Sequence, residues 1–287
     1  AGVREKILEK GVHFLDSVSI TSPSGSALDL PLPSGSHAPF SFPRSRVDSI
    51  LFDRATRHCE FRERQHVVGL LREGGKIVGV KAADTSSKST REITANFIVG
   101  ADGGDSTVAS HSGLQRWNAE HTLACVSSPV LDGDFSSRVH FHFLKHLLPG
   151  FGWLTPLSKT RATLGIMIPF HLYQSQRLSL EKEWRTFAEK LVAAGVLSSV
   201  PAFTPQEWFV PLASAPRELV KENVALCGDA AALADPLLGN SLGNALHSGM
   251  ILGEELSKMG SESRPISLNT YASRVHAEVF PHIRSSS

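Results

Sequence analysis

Apolar positions along the chain switch between a period near 3.6 and a period of 2, and the switches lay out its elements. Val3, Ile7 and Leu8 carry helical spacing that stops at Gly11. Val18-Ser19-Ile20 and Ala27-Leu28-Asp29-Leu30 flank Ser22-Pro23-Ser24-Gly25-Ser26 and predict strand, turn, strand. Ser34 to Pro43, rich in Pro, Gly and Ser, reads as a loop, and Val47, Ile50, Leu51 and Ala55 then share one helical face. Val67 to Leu71 and Ile77 to Val80, joined by Glu73-Gly74-Gly75-Lys76, form a hairpin signal with glycine supplying positive φ. Ile93 to Val99 reads as a strand whose last three residues suit burial.

The middle, roughly 121 to 170, is β-prone in four runs: Leu123 to Val126, Arg138 to Leu144, Gly152 to Leu157 and Ala162 to Ile168. A helix follows from about Leu180 to Ala194, with Trp184, Phe187, Ala188 and Leu191 facing inward. Val224 to Cys227 reads as a short buried strand and Leu242 to Met259 as a helix. A β-rich block thus interrupts an α/β frame, which predicts two lobes whose segments interleave.

Composition narrows the partners more than the fold. The 29 Lys and Arg nearly cancel the 28 Asp and Glu, so no field favours a nucleic acid. No apolar run approaches the roughly 20 residues of a membrane span, and the opening residues lack the basic-then-apolar order of a signal segment. Cys59, Cys125 and Cys227 share no metal-ligand spacing and cannot all pair, which predicts a reducing, cytoplasmic setting. His140 and His142 alternate in a strand with His146 nearby, yet no carboxylate or cysteine completes a metal set, so an ordinary sheet face is expected.

Two stretches carry the candidate chemistry. Phe97 to Val108 (FIVGADGGDSTV) is a buried strand that ends in small residues and Asp102, and Val224 to Ala231 (VALCGDAA) repeats the pattern with Asp229. Small residues at a strand's carboxyl end let a ligand approach the backbone, and an Asp there accepts protons from sugar-type hydroxyls. After Asp229 come Pro236, Gly239 and a helix start, whose unpaired N–H groups favour negative charge. Within that start, Gly239-Asn240-Ser241-Leu242-Gly243 also spells the G-x-S-x-G of a serine hydrolase elbow. Against that reading, Asp235-Pro236 breaks the approach, and His247, His276 and His282 lie on or just past the same helical region.

Together these segments resemble the flavoprotein monooxygenase superfamily with the p-hydroxybenzoate hydroxylase fold. Gly100-Ala101-Asp102-Gly103 with Ser106 and Val108 is similar to its DG motif, and Gly228-Asp229-Ala230-Ala231 with Asp235-Pro236 and Gly239 to its GD motif. Pro43-Arg44 with Asp48, Leu51 and Ala55 is similar to the family's arginine-bearing helix. Pro149-Gly150-Phe151-Gly152-Trp153-Leu154-Thr155-Pro156, with the later Gly165-Ile166, is close to the signature of the geranylgeranyl reductase branch. The departures are Ala109 where an Arg is usual, Phe151 for Tyr, Thr155 for Phe, and the absence of any G-x-G-x-x-G. The family seats the cofactor pyrophosphate on that fingerprint, so its strand and helix are expected upstream of Ala1.

The resemblance implies a mixed α/β fold: a Rossmann-like FAD/NAD(P)-binding lobe, incomplete at its N-terminus, interleaved with an antiparallel β-sheet substrate lobe. The implied boundaries are 1–43 for a strand-rich part of the substrate lobe, 44–112 for the first part of the FAD lobe, 113–220 for the substrate sheet and 221–287 for the rest of the FAD lobe. It further implies that Arg44, Asp102, Gly103, Gly228, Asp229 and Pro236 hold FAD, with backbone from Leu238 to Leu242, through Gly239, Asn240 and Ser241, facing its ring. Phe151, Trp153 and Pro156 would line the cavity for a hydrophobic small molecule, and a lipid substrate would bring peripheral membrane contact with it. The implied activity is reduction of a C=C bond or hydroxylation, with NAD(P)H as electron donor. The alternatives are a flavin-dependent halogenase, a binding protein that keeps the cavity without catalysis, and the Ser241 hydrolase.

Overall fold

The computed structural model describes residues 3–114, 118–131, 133–213, 217–237, 239–259 and 268–284. In chain order the elements begin with α1 (Arg4–Glu9), β1 (His13–Phe14), β2 (Ser17–Thr21), β3 (Ala27–Pro31), β4 (Phe40–Ser41) and α2 (Arg44–Ala55). Next come β5 (Gln65–Glu73), β6 (Lys76–Asp84), β7 (Thr90–Thr94), β8 (Ile98–Gly100) and α3 (Thr107–Ser112). The central stretch holds β9 (Thr122–Leu131), β10 (Arg138–Phe143), β11 (Phe151–Pro156), β12 (Arg161–Pro169), α4 (Phe170–Ser175) and α5 (Leu180–Ala193). The chain closes through β13 (Gln206–Pro211), β14 (Val220–Lys221), β15 (Val224–Leu226), α6 (Leu242–Met259), α7 (Asn269–Glu278) and α8 (Phe280–Arg284).

These elements form two compact units that interleave along the chain, one from Ala1–Glu60 and Leu123–Trp208, the other from Phe61–Thr122 and Phe209–Ser287. The divisions fall at 60, 122 and 208, whereas the resemblance implies 43, 112 and 220. The first difference arises because α2 packs on α1 and stays with the first unit.

In the first unit a seven-stranded sheet runs in the order β13-β9-β12-β11-β10-β2-β3. From β9 to β3 the neighbours are antiparallel except β10 and β2, which run parallel. The expected inward stripe of α5 covers one face of it: Leu180, Trp184, Phe187, Ala188 and Leu191 are all buried. Burying each of the larger ones stabilises the fold by roughly 1.5–3 kcal/mol. Ser179 caps the helix by accepting the Lys182 N–H at 3.3 Å, Glu181 and Glu183 sit in its positive first turn, and Gly195 takes the left-handed φ of +70° just beyond its end. Trp184 Nε1 donates to the Leu164 carbonyl at 3.0 Å, so the indole is buried without an unmet donor. Gly152 is required where the helix crosses β11, since a Cβ there would stand 2.5 Å from the Phe187 ring.

His140 and His142 lie on this same helix-covered face, their rings stacked with centroids 6.1 Å apart, and the His142 ring is 5.3 Å from that of Phe187. His146 turns instead to Glu183, 2.8 Å away, and no cluster of metal-ligating side chains occurs among the described residues.

The second unit carries two three-stranded sheets, β5-β6-β7 and β14-β15-β8. Gly74 and Gly75, at φ +55° and +84°, make the two-residue turn that the hairpin signal called for. The stretch expected as one strand over 93–99 is divided: Ile93 and Thr94 end β7, and Ile98 begins β8 in the other sheet. Val99 is 41% exposed, between buried Ile98 and Gly100, because strand alternation turns it to the sheet face away from the core. Strand, α3, α6 and α7 meet in one core that includes Ile98, Val108, Leu226, Ile251, Tyr271 and Val275.

Burial in the first unit holds His142 at a pKa of about 4, below its ordinary 6.5. Between these values the unfolded chain binds a proton that the folded chain does not, so stability present above pH 6.5 is lost as pH falls towards 4. His142→Gln is expected to flatten that part of the stability curve, as read from thermal midpoints across the acid range; an unchanged slope would assign the loss to other groups.

Candidate functional site

Parallel pairing of β8 with β15 brings the two acid-bearing strand ends together. Val224, Ala225 and Leu226 stand opposite Ile98, Val99 and Gly100, and the Cys227 N–H continues the ladder by donating to the Gly100 carbonyl at 3.0 Å. Asp102 and Asp229 therefore follow neighbouring strands at the same sheet edge. Gly100 makes the crossing of α3 feasible: a Cβ there would lie 2.5 Å from Leu226 Cδ2 and 3.0 Å from Val108.

The two acids then diverge in role. Asp102 Oδ1 accepts the Ser106 hydroxyl at 2.5 Å and Oδ2 accepts the Val108 N–H at 3.1 Å, while Ser106 Oγ accepts the Ala109 N–H at 2.9 Å. The carboxylate is thus committed to the first turn of α3. Gly103, at φ +86°, has open space where a side chain would be and leaves the adjacent backbone approachable. Asp229 sits in the single turn Gly228–Ala231, half-buried, on the wall of a small cavity.

That turn is locked from behind. The Gly228 N–H donates to Ser248 Oγ at 3.1 Å, and a Cβ on Gly228 (φ +59°) would meet Ala245 Cβ at 3.0 Å, so this glycine is explained by close packing of α6. Tyr271 Oη donates to the Leu226 carbonyl at 2.6 Å from full burial, which pushes its phenol far above the usual tyrosine value. The Cys227 thiol is pushed up to about 11 by burial and by the charge of Asp102, so it remains protonated and unreactive at neutral pH.

From Leu233 to Ser241 the chain folds back onto the start of α6. Asn244 Nδ2 donates to the Leu233 carbonyl at 2.7 Å, and the Asp235 N–H to the Asn240 carbonyl at 3.0 Å. Asp235 Oδ1 accepts the Leu237 N–H at 3.0 Å, and the Gly239 N–H donates to the Asp235 carbonyl at 2.9 Å. Pro236, Gly239 (φ +65°), Asn240, Ser241 and Leu242 make up this approach, while Leu238 lies outside the described residues. Gly243 is exposed, and a Cβ on it would meet nothing within 4 Å. The first turn of α6 therefore offers helix N–H donors at an uncovered surface. A half-buried carboxylate beside such a turn suits a ligand that pairs hydroxyl groups with an anionic edge.

No nucleophile elbow forms here. Strand β15 ends at Leu226, the turn at Gly228–Ala231 and the loop to Asn240 intervene, and the Ser241 carbonyl simply accepts the Ala245 N–H at 2.8 Å.

The remaining sequence candidates lie in the first unit. Arg44 begins α2 with its side chain exposed, and its Nε donates to Asp48 at 2.7 Å one turn on. Trp153 stands on the sheet face away from α5, directly across from Gly165, where a Cβ would lie 2.2 Å from its indole. The glycine on β12 is the seat that lets the indole lie flat. Phe141, opposite Trp153, and Phe143 share this face with Phe151, whose ring centroid is 5.5, 5.7 and 6.5 Å from those of Phe141, Phe143 and Trp153. Phe151 is buried among these rings, and strand alternation turns Pro156 to the other face, so Pro156 does not join Trp153 in one wall. Sequence reading missed Tyr271, Ser248 and Asn244, the groups that lock the site from helices; their only signal is a polar residue inside an apolar stripe, which periodicity does not rank.

With this geometry in place, comparison identifies the group to which the chain belongs. A family profile described as "FAD binding domain" matches residues 1–282. The digeranylgeranylglycerophospholipid reductase 1 of Methanopyrus kandleri is 28% identical over 195 residues, covering 66% of this chain and 50% of that protein. Among solved structures, the geranylgeranyl bacteriochlorophyll reductase-like protein of Thermoplasma acidophilum superposes with a TM-score of 0.77 at 17% identity, over 99% of this chain and 72% of that one. The myxobacterial chondrochloren halogenase matches with a TM-score of 0.73 at 16% identity, over 99% and 66%. The chain spans half to three-fifths of the length of the curated relatives it matches. The expected mixed α/β fold is the one these neighbours share, and the chain belongs to the FAD-binding domain family.

Proposed function

We propose that the full protein is an FAD-dependent reductase of carbon–carbon double bonds in a hydrophobic, prenyl-like substrate, with NAD(P)H as the source of electrons. The observation that carries this reading is the aromatic sheet face built by Phe141, Phe143, Phe151 and Trp153 over the Gly165 seat. Such a face binds an isoprenoid chain through area and shape, at about 25 cal/mol per Å² of apolar surface removed from water. These four side chains are apolar, a surface that matches an isoprenoid chain better than a phenol, which supports reduction over aromatic hydroxylation. The name of the Methanopyrus kandleri relative, a reductase of a digeranylgeranyl lipid, supports the same choice.

The residues at the strand ends fit FAD on their own chemistry. Asp229 would accept hydroxyl protons of the ribityl chain, and the N–H groups at the start of α6 would face the electron-rich edge of the ring. When bound and reduced by NAD(P)H, FAD would supply the hydride for one carbon of the double bond, and a proton from water would complete its saturation. The chain's own part is to hold the ring, to stabilise negative charge there through the helix start, and to keep water from the apolar face.

Asp229→Ala in the full-length protein is expected to lower FAD affinity by roughly tenfold or more, the weight of a lost charge-assisted hydrogen bond. Equilibrium titration by flavin fluorescence measures it, and unchanged affinity would remove Asp229 from the site. Gly165→Val should displace the indole of Trp153 and weaken binding of a prenyl substrate while flavin content stays as in the wild type. Loss of flavin instead would mean that this face serves the cofactor. Steady-state turnover of a prenyl lipid with NADPH tests the activity itself: consumption of NADPH without saturation of the double bond would overturn the reductase reading.

A further inference from the structure

The aromatic face of the first unit does not stop at Trp153 and Phe141. Cross-strand partners share a face, and the register carries one row across five strands: Gly165 on β12, Trp153 on β11, Phe141 on β10, Ile20 on β2 and Leu28 on β3. A second row, Val139, Val18 and Leu30, runs beside it. Towards the edge of the sheet both rows stay apolar and change from aromatic to aliphatic. With strands about 4.8 Å apart, the first row extends about 14 Å from Trp153 to Leu28. Leu28 is 57% and Leu30 42% exposed, while Asp29 between them turns to the other face and pairs with Arg138 at 2.8 Å. A single exposed leucine needs no explanation, but two at the open end of a contiguous apolar row mark a surface that a ligand can cover.

We propose that Leu28 and Leu30 hold the far end of the prenyl chain and so select substrates by chain length. A chain of two isoprene units seated on Trp153 ends short of Leu28. A chain of four reaches it, following the twist of the row through its own rotatable bonds. Two other occupants fit this edge less well. The stretch from Leu15 to Leu32 holds Asp16 and Asp29 and no Lys or Arg, so nothing in it attracts an anionic lipid surface. Strand β3 runs five residues and ends at Pro31, with Pro33 beyond, which leaves little free edge for a strand of a second copy. An uncharged, flexible hydrocarbon matches both the chemistry and the length of the row.

This inference rests on the proposed reading of the aromatic face as a prenyl site, and measuring binding rather than turnover keeps the two apart. Geranylgeranyl diphosphate and geranyl diphosphate carry the same headgroup and differ only in chain length. The ratio of their affinities for the full-length protein, read by calorimetry, therefore reports on the distal chain. The wild type should prefer the longer chain, and the double variant Leu28→Thr/Leu30→Thr, which keeps a strand-forming side chain at both positions, should cut that preference about tenfold. An unchanged ratio, with both affinities lowered by Gly165→Val, would overturn the inference and leave the face as a prenyl site. A wild type that binds neither chain would overturn both. If the double variant loses binding to phosphatidylglycerol vesicles, or turns a dimer into a monomer, while the ratio stays unchanged, the leucines serve a membrane or a second copy and the inference falls. Should that variant not fold, a geranylgeranyl diphosphate with a diazirine on its last unit decides the matter on the wild type. Crosslinks within Ala27–Pro31 are expected, and crosslinks confined to other segments would overturn the assignment.

Discussion

Pairing of two three-residue strands, β8 with β15, is the constraint on which the candidate site depends. Each is too short to be stable alone, and each ends in a run of small residues and an acid. Their parallel register sets Leu226 against Gly100, and the bond from the Cys227 N–H to the Gly100 carbonyl carries the alignment one residue past the strand. The acid-bearing turns beyond both strands inherit their places from that bond. The pairing is itself held by a buried shell: α3 presses Val108 against Gly100, and Tyr271 on α7 binds the last carbonyl of β15.

The two acids show how one motif pattern serves two ends. Asp102 is taken up by the chain, tying Ser106 and the Val108 N–H into the start of a six-residue helix that has little intrinsic stability. Asp229 follows a glycine with a left-handed φ, and α6 closes on that glycine's missing side chain. The first acid thus maintains the shape of the strand ends, and the second is placed where a ligand can use it. A similar division runs through the first unit, where alternate residues of β11 serve opposite faces. Gly152 gives room to α5 and Leu154 is buried, whereas Trp153 turns the other way onto Gly165.

The long elements were legible because burial imposes a period over many residues. The inward residues of α5, the extent of α6, the 74–75 turn and the four central strands all follow from spacing alone. The short ones were less so. Ile93 to Val99 carries one continuous β signal, yet nothing local tells that β7 and β8 join different sheets, since that choice depends on which distant strand is available to pair. Pro156 stands near Trp153 in sequence and on the other face in space, a consequence of strand alternation that a linear motif conceals.

By itself the sequence determined the strand-then-acid pattern, the glycines and the aromatic run, and through them the family. Those are local features: small residues are needed wherever backbone must be approached, and their spacing survives even at low identity. The tertiary structure alone decided that Gly228 answers to Ala245, Gly165 to Trp153 and the Leu226 carbonyl to Tyr271. Each of these is a contact between residues far apart in the chain or on opposite sides of a strand. Such contacts arise from how helices and sheets close on one another, and periodicity, which speaks only of neighbours, carries no record of them.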